Sequence, residues 1–270
     1  MAEVPEVEIL VRDMQRDLPE RTIVGAEVWL DAVVRFIEPA AYRELVSGRR
    51  ILRVDRRAKY ILCTLDADTL LTFHCMLDGM LRLSPADTER PADTLLTFAL
   101  DDSRALHFID RLGYARTAVG PTTHVRTQLR LDALGPEVLD PSFTPAQLAE
   151  RITKRRSPLK AVLVKQENLA GLGQRDADES AWLAQILPTR LPATLSDDEF
   201  IRLHGAIIDV LDEGIRLRGT MRDLEGVRGQ ARHRRNVYGR MGQPCPRCGT
   251  LVSQTRIGGQ ATYFCTGCQH

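Results

Sequence analysis

An α+β chain is expected from three observations. Residues 22–118 carry a succession of short apolar runs separated by turn-forming residues. From residue 144 onward, apolar positions recur at helical spacing behind capping boxes. The last 26 residues hold two C-x₂-C pairs sixteen residues apart.

The elements follow in order. Val7, Leu10, Val11, Met14 and Leu18 share one helical face, so residues 6–18 read as an amphipathic helix. The runs Thr22–Leu30, Arg50–Val54, Tyr60–Leu65, Leu70–Phe73, Leu95–Leu100 and Ala105–Phe108 read as strands. Asp66-Ala67-Asp68 and Asp101-Asp102 supply turns. Many short strands with tight turns imply a sandwich or a barrel. Leu134–Pro141 is a Gly/Pro-punctuated linker. Thr144-Pro145-Ala146-Gln147 and Ser196-Asp197-Asp198-Glu199 are capping boxes that open helices. Between them, Leu169–Arg175 is a glycine-containing turn joining two helical stretches. The N–H groups at such a helix start can grip a phosphate.

Cys245, Cys248, Cys265 and Cys268 can place four thiolates tetrahedrally around one metal, with zinc the expected ion. Two disulfides, or four unremarkable thiols, are the alternatives; the pairing is regular and nothing in the sequence suggests secretion. A Cys₄ set is closed, so the metal is structural. Cys63 and Cys75 lie in apolar, strand-like runs and read as buried thiols.

At 270 residues the chain can hold two domains with real cores. It has no apolar stretch long enough for a membrane span and no apolar signal core at its acidic N-terminus, so a cytoplasmic protein is expected. A net charge of +1 advertises no global field for nucleic acid. The distribution says more: ten arginines against two acids lie between Arg216 and Arg256, leading into the cysteine hairpin. That is the footprint of a phosphate-binding surface, or else a solvated charged face.

Five separated stretches resemble, in order, the formamidopyrimidine-DNA glycosylase/endonuclease VIII family. They are Ala2–Glu8, Arg56–Tyr60, Gly171–Glu179, Val237–Arg240 and the cysteine hairpin ending Cys268-Gln269. The resemblance covers essentially the whole chain. It implies an N-terminal β-sandwich with flanking helices (1–133), a linker (134–143), a helix-two-turn-helix domain (144–236) and a zinc finger (237–270). It also implies a monomer on double-stranded DNA, preferably damaged or abasic, in a nucleoid-associated setting. In the implied reaction the damaged base is flipped out, the N-terminal amine attacks the sugar C1′, the base leaves, and elimination cuts the strand.

The resemblance assigns roles residue by residue. Ala2 stands where the family has a nucleophilic proline, and removal of Met1 would expose its primary amine. Glu3 matches the catalytic carboxylate, and Lys59 a phosphate contact. Glu6 and Glu179 match acids expected to orient the N-terminus. Gln174 and Asp176 replace an asparagine and a tyrosine of the phosphate grip, Asp176 adding an unfavourable charge if it faces DNA. Gln260 replaces the finger's arginine, with Arg256 near enough to compensate, and Tyr238 falls at a DNA-binding position. Leu77, Leu112 and Tyr114 stand at the three positions that fill the gap left by the flipped base, unless the leucines are core residues. Two functions follow: a divergent glycosylase with abasic-site lyase activity, or a catalytically impaired protein that binds damaged DNA.

Overall fold

The computed structural model describes residues 2–270, the side chain of Arg234 excepted. The chain forms two compact units. One runs to Asp132 and includes Arg218–Gly229; the other holds Ala133–Leu217 and Gln230–His270.

The first unit opens with helix α1 (Val4–Asp17), where Glu3 is the N-cap and Pro5 lies in the first turn. Its buried face carries Val7, Leu10, Val11 and Met14, the spacing expected of an amphipathic helix. Helix α2 (Pro39–Val46) buries Tyr42 and Val46. Eight strands follow the order β5-β7-β6-β1-β2-β3-β4-β8, every neighbouring pair antiparallel. They are β1 (Thr22–Val28), β2 (Arg49–Arg57), β3 (Tyr60–Leu65), β4 (Thr69–His74), β5 (Met80–Pro85), β6 (Thr94–Leu100), β7 (Arg104–Ile109) and β8 (Arg116–Pro121).

β1 and β2 share only two register pairs, Thr22↔Arg50 and Ile23↔Arg49, beside register shifts in both strands. At that corner the sheet folds over itself, so the open choice between sandwich and barrel resolves to a sandwich. Phe73 on β4 meets Phe98 on β6 and Phe108 on β7 edge-on, at 5.7 and 5.2 Å between centroids. Cys63 and Cys75 are buried free thiols, and burial pushes both up to about 12, where they carry no reactive thiolate.

Several elements differ from expectation. α2, β5 and β8 were not foreseen. β1 ends at Val28, because Leu30 caps a 3₁₀ turn at Asp31–Val33. Residues 218–229, expected within the helical domain, pack in the first unit: Leu83 N–H donates to Leu224 O at 2.9 Å, and Leu224 joins the core. Arg218 anchors the segment through Asp13 and Asp223, each at 2.7 Å.

The second unit is helical. After the short α3 (Thr122–Gln128) of the first unit come α4 (Pro145–Ile152), α5 (Leu159–Leu163), α6 (Gln174–Leu183) and α7 (Asp197–Arg216). The capping boxes at Thr144/Gln147 and Ser196/Glu199 both form. A hairpin of β9 (Ser253–Ile257) and β10 (Gln260–Phe264) lies in the cysteine finger. Among the described residues no helix is long and apolar enough to cross a membrane.

Candidate functional site

At the N-terminus, Ala2 is buried in the apolar core beside residues of α1. Glu3 is only 1% exposed. One oxygen of the Glu6 carboxylate accepts the Glu3 N–H at 2.9 Å, and the other accepts the Thr220 N–H and hydroxyl at 3.0 and 2.8 Å. One carboxylate thereby holds the Glu3 backbone and joins it to Thr220. Met1 lies outside the described residues.

Lys59 sits in the two-residue turn joining β2 and β3, after Ala58 in the left-handed region. His74, at the end of β4, pairs in register with Tyr60 and packs edge-on against its ring at 4.6 Å. Its Nδ1 accepts the Met76 N–H at 3.1 Å. Burial, helped by the nearby Lys59 ammonium, pushes His74 down to about 4, so the ring is neutral at ordinary pH. Sequence reasoning does not single out His74, because strand register, which no short string carries, brings it beside the Lys59 turn.

Leu77, Leu112 and Tyr114 are 41%, 46% and 51% exposed, which excludes the core reading of the two leucines. Their loops are nonetheless tightly built. The buried Asp110 carboxylate accepts the N–H groups of Leu112, Tyr114 and Ala115 at 2.9, 2.7 and 2.7 Å. Gly79 closes the Leu77 loop where an added Cβ would lie 2.6 Å from Cys75 O. Apolar tips on rigid loops suit insertion between bases.

In the second unit α6 organises the finger. Asp178 accepts the Lys160 ammonium at 2.8 Å and the Tyr263 N–H at 2.9 Å, while Lys160 also donates to Ala261 O at 2.7 Å. Burial pushes Asp178 up to about 7 against the opposing pull of Lys160. Glu179 takes the N–H groups of Asn236, Val237 and Tyr238 at 2.8–3.1 Å. Its carboxylate thus shapes the 236–238 segment. Tyr238 stacks edge-on with Tyr263 at 5.3 Å and lies under the Arg235 guanidinium at 5.4 Å.

The four cysteine sulfurs lie within 4.8 Å of one another. A zinc ion with Zn–S near 2.3 Å sets sulfurs about 3.8 Å apart. Cys245–Cys268 is 3.8 Å and Cys248–Cys265 is 3.4 Å, so the set fits one tetrahedral ion. Trp182 Nε1–H donates to Cys245 Sγ at 3.3 Å, an outer bond of the kind that steadies a thiolate ligand. Arg247 covers the other side of that indole at 4.1 Å. Gly267 is required in the second knuckle, since a Cβ there would lie 2.3 Å from Thr250 Oγ1.

Three family models match in succession: the formamidopyrimidine-DNA glycosylase N-terminal domain over residues 1–117, its H2TH domain over 134–225, and the zinc finger found in FPG and IleRS over 242–270. The chain belongs to the formamidopyrimidine-DNA glycosylase family. It is 40% identical to the formamidopyrimidine-DNA glycosylase of Chloroflexus aggregans over 275 residues, covering 100% of this chain and 98% of the relative. The one from Pelotomaculum thermopropionicum is 37% identical over 273 residues, at 100% and 99% coverage. Among solved structures, Lactococcus lactis Fpg in complex with an abasic-site DNA superposes with a TM-score of 0.91 at 28% identity, each chain fully covered. The family's fold and its one zinc ion are therefore those of this chain.

Against the formamidopyrimidine-DNA glycosylase pattern, the departures in this chain differ in weight. Asp176 is 2% exposed and accepts Arg175 Nε at 2.8 Å, so its charge is buried and paired and does not face a phosphate surface. Gln174 begins α6, with its Oε1 buried and lacking a hydrogen-bond partner among the described residues. Gln260 is exposed at the start of β10. Arg256 pairs in register with Ala261, one residue on from Gln260, but its guanidinium donates to Gly259 O at 2.9 Å, inside the hairpin turn.

Proposed function

We propose that this chain removes damaged bases from double-stranded DNA and cleaves the resulting abasic site, with the Ala2 α-amine as nucleophile and Glu3 as acid/base. The observation that carries this reading is the fixed Ala2–Glu3 backbone: the Ala2 methyl is anchored in the core, and the Glu3 N–H is held by Glu6. An α-amine with a pKa near 8 is about one-tenth neutral at pH 7, against under about a thousandth for lysine. The neutral amine attacks C1′ and gives up a proton, and the glycosidic electron pair leaves with the base, which takes a proton up. The Glu3 carboxylic acid protonates the sugar ring oxygen as the ring opens to the protonated imine. The resulting Glu3 carboxylate then takes the C2′ proton, and the 3′ phosphate is expelled. Lys59, Gln174, Tyr238 and Arg256 are the proposed phosphate contacts, and Leu77, Leu112 and Tyr114 the wedges. Zinc supplies structure to the finger, not chemistry. The solved Lactococcus lactis relative holds an abasic-site DNA, which supports the same substrate here. The protein acts as a monomer, in the cytoplasm and on the nucleoid.

Borohydride trapping on abasic duplex tests the reading, using protein whose mature N-terminus is shown by intact mass to be Ala2. A covalent adduct is expected; its absence sinks the lyase assignment. The coincidence of Ala2, Gln174, Asp176 and Gln260 at positions serving one reaction motivates a second reading, a binder of abasic DNA without turnover, which tight binding with no adduct would select.

A further inference from the structure

The Arg235 side chain is built into the second unit without a counter-ion. Its backbone is held from two directions. Arg240 Nη1–H donates to Arg235 O at 3.3 Å and to Asn236 O at 2.9 Å, and Glu179 accepts the next three backbone N–H groups. The Arg235 guanidinium lies 5.4 Å from the Tyr238 ring centroid, and that ring packs edge-on against Tyr263 at 5.3 Å. Gly239 keeps the space beside Nη1 clear, since even an added Cβ there would stand 3.9 Å away.

The Arg235 Nε is buried, while the residue as a whole is only half-buried. Neither Nη makes a hydrogen bond or an ion pair among the described residues, so both stand at the surface. The nearby acids are engaged elsewhere. Both oxygens of Glu179 accept N–H groups of residues 236–238, and Asp176 accepts Arg175 Nε at 2.8 Å. Burial first, then the Arg175 charge, holds Arg235 below the ordinary arginine value, and Arg232 adds to the effect. The group stays charged all the same, because arginine keeps its proton in proteins. A half-buried cation among cations, its fork facing outward, is completed by an external anion.

We propose that Arg235 binds a DNA phosphate of its own, beyond the contacts assigned to Lys59, Gln174, Tyr238 and Arg256. The two outward Nη groups form an end-on fork that matches two phosphate oxygens, and the buried Nε takes no part. Stacking on Tyr238 sets the plane of the fork before DNA arrives, so little side-chain freedom is lost on binding. The ring that carries the fork is itself one of the proposed phosphate contacts. This contact rests on the DNA-binding reading above, and it supplies charge in a protein whose finger carries the neutral Gln260.

Fluorescence anisotropy tests the contact, using full-length, zinc-loaded protein and a duplex bearing an abasic-site analogue. Arg235→Gln should weaken binding about tenfold at low salt and flatten the dependence of log affinity on log salt by about one. Arg235→Lys keeps the charge and loses the fork, so its slope should match wild type while its affinity falls. Arg235→Met, whose unbranched stem still covers the Tyr238 ring, carries the test if Arg235→Gln fails to hold zinc, and the same loss and slope are expected of it. Weaker binding with an unchanged slope overturns the proposal, because the side chain would then act only by packing on Tyr238. Unchanged affinity and slope overturn it as well, leaving a solvated arginine. Failure of the wild type to bind the duplex sinks the DNA reading and this contact with it, whereas wild-type binding with an indifferent Arg235→Gln removes this contact alone.

Discussion

Glu6 and Thr220 are joined by two hydrogen bonds to one carboxylate oxygen, at 3.0 Å from the backbone N–H and 2.8 Å from the hydroxyl. The other oxygen holds the Glu3 N–H. One side chain thus couples the start of the chain to the 218–229 segment. Glu6→Ala strands both backbone donors, and a loss of about 1.5–3 kcal/mol is expected from charged hydrogen bonds. Thr220→Val removes only the hydroxyl bond and loses about 1 kcal/mol. Urea unfolding measures both, and hydrogen exchange should quicken at Glu3 and Thr220 in Glu6→Ala alone. Unchanged exchange there would disprove the coupling.

Lys160 and Asp178 form a buried pair, their side chains 1% and 0% exposed. Lys160→Met leaves the carboxylate without its cation, and a loss of about 3–5 kcal/mol is expected. Without Lys160 the Asp178 carboxyl moves further up, so the variant loses stability as pH rises and the acid is forced to ionise. Lys160→Met with Asp178→Asn removes the charge but keeps an acceptor for the Tyr263 N–H. The double variant should recover most of the loss and its pH dependence, both read from denaturant midpoints.

The parts of this molecule legible in the sequence are those whose signal is local. The α1 stripe, both capping boxes and the cysteine spacing each lie within a few turns of chain and reappear in the structure. α2 is short and buries only Tyr42 and Val46, too few for a period to show. β5 mixes Arg82 and Ser84 with its apolar residues at the sheet edge, and β8 runs into Gly120-Pro121, which reads as a turn. The site divides the same way. Glu3 and the cysteines lie in recognisable strings. Asp110 as loop anchor, Trp182 beneath Cys245 and the burial of Asp176 against Arg175 depend on distant packing or on burial, which no short string carries.

Zinc removal should unfold the finger and spare the first unit. Chelation, or Cys248→Ser, leaves thiolates without the ion that holds four of them together. The expected outcome is faster exchange across β9 and β10 and altered Trp182 fluorescence, since its indole bonds Cys245 and stacks under Arg247. Exchange in β3 and β4 should not change. Loss of protection in those strands would show that the metal supports the first unit as well as the finger.

His74 makes acid stability pH-dependent. Its ordinary value of 6.5 is lowered to about 4 by burial first and Lys59 second, so the folded state prefers the neutral ring. The associated stability is present above pH 6.5 and is lost as pH falls toward 4, a span worth on the order of 3 kcal/mol. His74→Gln keeps a side-chain acceptor for the Met76 N–H and should flatten the unfolding free energy across that window by close to one proton. An identical pH slope in the variant would place the titration elsewhere.

Gln260→Arg tests the weight of the finger's departure from its family. Gln260 is exposed at the first position of β10 and pairs with Ile257 across the hairpin, so the change touches no core contact. Glutamine offers a neutral amide, whereas arginine offers a planar, charged fork matched to phosphate oxygens. One restored phosphate contact should tighten binding to a duplex bearing an abasic-site analogue by about 1.5–3 kcal/mol at low salt. It should also steepen the dependence of log affinity on log salt by about one. Fluorescence anisotropy across a salt series reads both quantities. Tighter binding with an unchanged slope would assign the gain to something other than a phosphate contact. An unchanged affinity would mean that Arg256, despite its bond to Gly259 O, already serves that phosphate.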